Sequence, residues 1–484
     1  MLNHVMFQAF EWETEGEGFY ARLMEKAPEL VARGVDSVWL PPVYKASSVN
    51  DQGYGTYDLY DLGEFDQKGT VRTKYGTKEE LLEAIRVLHE HGIRVYADVV
   101  INHKAAADEA ERCLATPVNP ANRHEVIGET REIEAWTGFS FPGRGDTYSD
   151  FKWSYVHFTG IDYDNLTGEK GIYRIEGENK GWALGVSPEH GNYDYLMFAD
   201  IDHNHPDVRE ELLRWAQWFV AETGVDGFRM DAVKHIDDHF MREFTRRMYE
   251  AQGEDFYIFG EYWQQDKGET DAYLEDTDYL MDLFDVPLHF NMQRAAQEGK
   301  GYDLRRIFDG SIVAEDPFHA VTFVDNHDTQ PGQSLESWVD DWFKPLAYGL
   351  ILLRKDGYPC IFAGDYYGLN QAERMNQNKY AIDRLLFLRK ALAWGEQTDY
   401  LAEQNLIGWV RHGTDEHPNK LAVVLSTGEQ TELRMEVGTE EAGRVYVDYL
   451  DNQEAQVTID DEGFGVFPVG GGSLSAWAEE GLEL

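Results

Sequence analysis

VDGFRMDAVKH, residues 225–235, opens as a short β-rich run and then presents an arginine and an aspartate two residues apart. The stretch before it, PDVREELLRWAQWFVAETG (206–224), repeats apolar residues at helical spacing and stops on Gly224, as helices often do. A helix pattern therefore leads straight into a strand pattern. The same alternation extends in both directions. Further β-rich runs are VMFQAF (5–10), VDSVWL (35–40), IRVYADVV (93–100), FYIFGEY (256–262), YLMDLF (279–284), AVTFVDN (320–326) and YPCIFAGD (358–365). KEELLEAIRVLHEHG (78–92) and DDHFMREFTRRMYEAQG (237–253) read as further helices. Eight strand–helix alternations predict an α/β chain with a parallel sheet, and eight is the number that closes a (β/α)8 TIM barrel.

A minimal barrel uses about 250 residues, so roughly half of this 484-residue chain lies elsewhere. One excess follows the third strand run, where about 100 residues rich in Gly, Asp, Tyr and Trp are too many for a barrel loop. After about residue 396 the helical pattern stops. LIGWVRHG, KLAVVLSTG, GRVYVDYLDN and GGGSLSAWAEE then read as antiparallel strands. The expected division is a barrel from 1–103 and 206–396, an inserted subdomain from 104–205, and a C-terminal antiparallel β-sandwich from 397–484.

Lys and Arg number 43 against 89 Asp and Glu, a formal net charge of −46. Such a chain repels phosphate backbones and anionic lipid, so nucleic-acid and membrane partners are excluded and neutral molecules or cations are expected. Adaptation to high ionic strength is one reading of the surplus. No apolar run is long enough to span a membrane. MLNHVMFQAFEWETEGEGF lacks a basic region and carries Glu11, Glu13, Glu15 and Glu17, unlike a secretory signal. With only Cys113 and Cys360, distant in sequence, no disulfide framework is expected. A cytoplasmic monomer is expected, a secreted protein lacking its signal being the alternative.

Barrel enzymes hold their chemistry at the C-terminal ends of the strands. Here those ends carry Asp98 with Asn102 and His103, Arg229 and Asp231 with Lys234 and His235, Glu261-Tyr262-Trp263, and Asn326-His327-Asp328. Strand side chains alternate, so Arg229 and Asp231 point the same way, and an inward cation keeps that carboxylate ionised. Glu261, between aromatic neighbours and other acids, is suited to hold a proton near neutrality. Asp328 arrives from the opposite wall. One acid at a strand end is more often a turn former or cap; four functional ends on one barrel are not explained that way. Carboxylates in different protonation states around one mouth suit glycosidic cleavage.

At these residues the chain resembles the α-amylase family of glycoside hydrolases, and within it the bacterial liquefying-type enzymes and their intracellular relatives. The segments are DVVINH (98–103), LMFADID (196–202), GFRMDAVKH (227–235), EYW (261–263) and FVDNHD (323–328), supported by GYGTYDLYDLGEF (53–65), FPGRGDTYSDFKW (141–153) and TQPGQSLES (329–337). The resemblance implies Asp231 as nucleophile, Glu261 as general acid/base and Asp328 as the carboxylate that stabilises the transition state. It also implies that Arg229 orients Asp231, that His103, His235 and His327 bond sugar hydroxyls, that Lys234 reaches a neighbouring glucose, and that Tyr54 and Trp263 offer stacking faces.

The family's structural calcium implies ligands at Asn102, Asp194, Asp200 and the backbone carbonyl of His235, and the oxygen-rich run from Asn192 to Asn204 suits that ion. Secreted relatives carry further metals. Where they place Asp, this chain has Ala183 and Asn204, while Asp162 and Asp202 remain for a possible second, weak cation site. A third site lacks its His-Asp pair in LAEQNLIGW (401–409), so a weaker calcium dependence is expected. The expected activity is endo-acting, retaining hydrolysis of α-1,4-glucosidic bonds in starch, glycogen and maltooligosaccharides through a covalent glycosyl-enzyme. Open alternatives are a maltooligosaccharide-forming or transglycosylating enzyme, a non-catalytic glucan-binding protein, and a metal-dependent barrel hydrolase.

Overall fold

The apolar runs become eight short strands because each is buried on both faces, as a parallel sheet wrapped by helices requires. The computed structural model describes residues 3–370 and 378–482. Its barrel strands are β1 (Met6–Gln8), β2 (Ser37–Leu40), β3 (Arg94–Val99), β4 (Gly227–Met230), β5 (Tyr257–Gly260), β6 (Asp282–Phe284), β7 (Ala320–Phe323) and β8 (Tyr358–Phe362). Every neighbouring pair is parallel, and β8 returns to β1 to close the cylinder. The (β/α)8 barrel expected from the eight alternations is present.

Helices form where the sequence marks their ends. Thr77 and Glu80 make a reciprocal capping box at the start of Lys78–Glu90. Pro206 stands at the start of Pro206–Thr223, and Gly224 closes that helix at φ 70°, a left-handed conformation that glycine adopts without strain. Inside the cylinder the side chains stack in layers. Trp39, Phe259, Phe284 and Phe323 form an aromatic middle, with ring centroids 5.3–6.4 Å apart between neighbours.

Between β3 and β4 the chain leaves the barrel and builds a seven-stranded antiparallel sheet from His103–Lys104 to Ala199–Ile201. Its first and last strands pair, His103 opposite Asp200, so the insert begins and ends against the mouth of the barrel. After the helix Lys379–Leu392 the chain forms a six-stranded antiparallel sheet and a separate two-stranded one, Thr431–Glu436 with Phe464–Val469. Between these sheets lies a separate core that includes Val424, Met435, Phe467 and Trp477. Among the described residues, no helix is long and apolar enough to cross a membrane.

Candidate active site

The register of β3, β4 and β5 sets Arg229 between Asp98 and Phe259. Arg229 is fully buried, and its guanidinium holds three carboxyls. Nη1 donates to Asp98 at 3.0 and 3.2 Å and to Asp231 Oδ1 at 2.6 Å, while Nη2 donates to Glu261 Oε2 at 2.6 Å. The indole of Trp39 lies 4.9 Å beneath it. The sequence reading linked Arg229 to Asp231 alone; the register makes it the shared cation of the whole cluster. After Asp231 the chain turns sharply through Ala232, whose φ of 52° is unusual for a residue with a Cβ and is held by Val233 N–H donating to the Glu261 carbonyl.

Three acids bonded to this one arginine, Asp98, Asp231 and Glu261, and a fourth, Asp328, that feels its charge cannot all be charged in a buried site. Burial raises Glu261 to about 8, against the pull of Arg229 and with the help of charge at Asp231 and Asp328. Asp98 and Asp328 are pushed to about 7, again chiefly by burial and against Arg229. Glu261 Oε2 is occupied by Arg229 and the Ala232 N–H, so among the described residues Oε1 is the oxygen left to carry a proton. Asp231 Oδ1 is likewise occupied, leaving Oδ2 open.

Asp328 stands on a loop folded by its own polar groups. Asn326 Oδ1 accepts from the N–H groups of Asp328 and Thr329, and Thr329 Oγ1 donates to Asp325. Lys344, fully buried at the foot of that loop, donates to Asp325 at 2.5 Å and forms an ion pair with Asp365 at 2.5 Å. His327 Nδ1 accepts from the Gln8 amide at 2.9 Å, which puts the proton on Nε2, 3.2 Å from Asp328. His235 donates through Nδ1 to the Tyr193 carbonyl at 2.7 Å, so its Nε2 is an acceptor without a donor among the described residues, and burial pushes its pKa down to about 3. Lys234 spans Glu189 (2.6 Å) and the Trp263 carbonyl (2.9 Å).

His103 departs from expectation. Its Nε2 donates to the Tyr54 carbonyl at 2.8 Å and its Nδ1 accepts from Asn102 at 3.3 Å, so neither nitrogen is free for a sugar hydroxyl. It holds Tyr54 in place instead. The Tyr54 hydroxyl donates to Asp98, and its half-buried ring lies parallel to His327 (5.1 Å, 7°). Trp12 continues this layer, its ring within 5° of both planes. Trp263 is half-buried beside Phe290. Sequence reasoning missed Gln8, Trp12, Glu189 and Tyr193; for Gln8 alone there was a signal, a lone polar residue within the apolar run VMFQAF.

Asn102, Asp194 and Asp200 lie where the insert meets the barrel, all buried. Asp194 accepts from the Ala183 N–H and Asp200 from the Thr159 hydroxyl, but Asn102 Oδ1 and Asp200 Oδ1 have no donor among the described residues. Burial raises both carboxyls, Asp194 to about 7 with help from charge at Asp202 and Asp237, and Asp200 with help from charge at Asp194. Orphaned buried oxygens beside unneutralised acids are what a hard cation requires. The Ser187 N–H donates to the Lys234 carbonyl, next to His235, and ties the insert to the barrel there. The pair suggested for a weak second cation does not behave in the same way. Asp202 accepts from Lys180 at 2.7 Å, and Asp162 is exposed.

Comparison with known proteins gives the family. The alpha-amylase catalytic-domain family matches residues 13–126 and 190–400. An α-amylase of Bacillus licheniformis is 48% identical over 99% of this chain and 94% of its own. A glucan 1,4-alpha-maltohexaosidase of Bacillus sp. (strain 707) is 47% identical over 99% and 93%. The cytoplasmic alpha-amylase of Escherichia coli (strain K12) is 41% identical over 99% of both chains. The solved structure of an α-amylase from Geobacillus thermoleovorans complexed with acarbose shares the fold, with a TM-score of 0.65 at 17% identity over 99% of this chain and 98% of that one.

Proposed function

Because the chain belongs to the α-amylase family of glycoside hydrolases, we propose that the cluster around Arg229 performs endo-acting, retaining hydrolysis of α-1,4-glucosidic bonds in starch, glycogen and maltooligosaccharides. The observation that carries this reading is one guanidinium bonded to Asp231 through one nitrogen and to Glu261 through the other. Carboxyls on adjacent nitrogens of one guanidinium stand close together, as double displacement requires, for which ~5–5.5 Å is usual.

In the first step Asp231 Oδ2 attacks the anomeric carbon while the Glu261 Oε1 proton passes to the glycosidic oxygen. The C–O bond breaks, the leaving chain departs as an alcohol, and an ester joins the sugar to Asp231. In the second step Glu261, now a carboxylate, takes a proton from water as that water attacks the same carbon and releases Asp231. Two inversions give net retention. Asp328 and the Nε2–H of His327 grip the hydroxyls of the distorted ring, and the His235 Nε2 accepts from a hydroxyl. Tyr54 and Trp263 offer flat faces to the CH side of the glucose rings, and Lys234 reaches the next residue. His103 acts one step back, by holding Tyr54.

Glu261→Gln should lower kcat on soluble starch by roughly 10²–10⁴-fold while leaving maltooligosaccharide affinity within a few-fold. Near-normal activity in that variant would remove the assignment. A maltooligosaccharide-forming product pattern is the second reading, favoured by the 47% identity to the maltohexaosidase, and chromatography of early products separates the two.

We assign one structural calcium to Asn102, Asp194, Asp200 and the backbone carbonyl of His235, supported by the two orphaned oxygens. When bound, it neutralises the buried acids and fixes the insert against the barrel; it takes no part in bond cleavage. Removal by EGTA should lower the thermal midpoint, and an unchanged midpoint would contradict the assignment. A cytoplasmic monomer fits the kinship with the E. coli cytoplasmic enzyme and the two free, buried cysteines. Cell fractionation and light scattering test it.

A further inference from the structure

The insert contains two oxygen nests of similar make, and only one of them lacks a positive charge. In the nest at Lys180 the ammonium donates to the carbonyls of Val156 and Phe158, the latter at 3.1 Å, and to Asp202 Oδ2 at 2.7 Å. Lys180 and Asp202 are 6% and 7% exposed at their side chains. Each of the three N–H bonds of the ammonium has its own acceptor, so the group is saturated. Asp202 is fixed independently, its other oxygen accepting from the Asn204 N–H and its own N–H donating to the His157 carbonyl.

Two backbone carbonyls and one carboxylate converging on a point form the donor set of a hard metal ion. They come from the turn Tyr155–His157, the start of the strand Phe158–Asp164 and the residue just beyond the strand Ala199–Ile201. Lys180 itself comes from a fourth segment, between the strand Glu169–Ile175 and the irregular stretch that carries Asp194. A single positive charge therefore joins four pieces of the insert. In the other nest Asn102 Oδ1 and Asp200 Oδ1 have no such donor.

We propose that the Lys180 ammonium is a built-in replacement for a structural cation: the nest of Val156, Phe158 and Asp202 is a cation site that the chain fills itself, and removing the ammonium opens it to a free ion. The insert then needs no metal at this nest, and its order there does not depend on dissolved sodium or calcium. This inference does not depend on the calcium assignment at Asn102, Asp194 and Asp200, since that nest shares none of these oxygens.

The test compares thermal midpoints of the whole chain as wild type, Lys180→Ala and Lys180→Met, at fixed ionic strength in choline chloride, in sodium chloride, and in choline chloride with millimolar calcium chloride. Wild type should unfold at the same temperature in choline and sodium salts. Lys180→Ala should lose several degrees in choline and recover most of them with sodium or calcium. Lys180→Met, which fills the space without charge, should lose stability and not recover. Calcium retained after gel filtration should be one equivalent higher in Lys180→Ala than in wild type. A Lys180→Ala deficit that no cation repairs would overturn the proposal, as would recovery of the methionine variant or a wild-type midpoint that rises with sodium. The wild-type measurement decides even if both variants fail to fold. A wild-type loss in EGTA reports on the other nest and is read separately.

Discussion

The two ends of the barrel are built from the same strands and do opposite things. At the floor, Tyr96, Tyr257 and Tyr358 crowd together with ring centroids 5.3–5.5 Å apart, and each hydroxyl finds a neutral or single acidic partner: Tyr358 with Ser37, Tyr96 with Tyr358, Tyr257 with Asp282. At the mouth, four acids compete for Arg229. The floor satisfies its polar groups locally; the mouth leaves Glu261 Oε1 and Asp231 Oδ2 unspent. A buried site with more negative charge than it can neutralise destabilises the fold, and that excess is what chemistry at the mouth uses.

The contrast is broken most severely at its shared cation. Arg229→Met should leave Asp98, Asp231 and Glu261 buried without the cation they share, costing about 3–5 kcal/mol in stability and essentially all starch hydrolysis. Denaturant unfolding and a reducing-sugar assay read both. A soluble, active Arg229→Met protein would show that the cluster is not held as described.

Next in size is the response to pH. As the proposed general acid Glu261 must hold a proton, so kcat should fall about tenfold per unit as pH rises through about 8. Stability should move in the same direction. Carboxyls whose folded pKa is raised contribute stability that is complete below the ordinary carboxylate range and is lost as pH rises through the folded value. For Asp98, Asp328 and Glu261 that loss should be felt up to about 7–8. With calcium saturating, the wild-type midpoint should drop more between pH 6 and 9 than that of Glu261→Gln. Equal drops would mean that Glu261 does not titrate in this window.

The smallest effect belongs to the floor. Tyr257→Phe removes a 2.6 Å hydrogen bond to Asp282, whose pKa burial raises to about 6. The expected cost is about 1–3 kcal/mol in unfolding with kcat within twofold of wild type. A large fall in kcat would show that the two ends are coupled.

The barrel was legible because a strand buried on both faces must be written in apolar residues, and all eight such runs are strands. Arg229, Asp231, Glu261 and Asp328 were legible because strand ends in a barrel point at one place. The C-terminal strands Thr431–Glu436 and Phe464–Val469 were missed: half of the first is charged, and the second is interrupted by Gly465 and Pro468. Lys180 was invisible for a different reason. Two of its three partners are backbone carbonyls, which every residue has, so no letter marks them. The same holds for His103, whose nitrogens are taken by a carbonyl and by its own neighbour.

The central claim is that Asp231 bonds to the sugar while Glu261 manages the proton. The most direct measurement is to trap the intermediate with a fluorinated α-maltosyl fluoride, digest the protein and locate the adduct by mass spectrometry. The account predicts one glycosyl ester per chain, on Asp231 within GFRMDAVKH (227–235). An adduct on any other carboxylate, or turnover without an adduct and with inverted product, would contradict it.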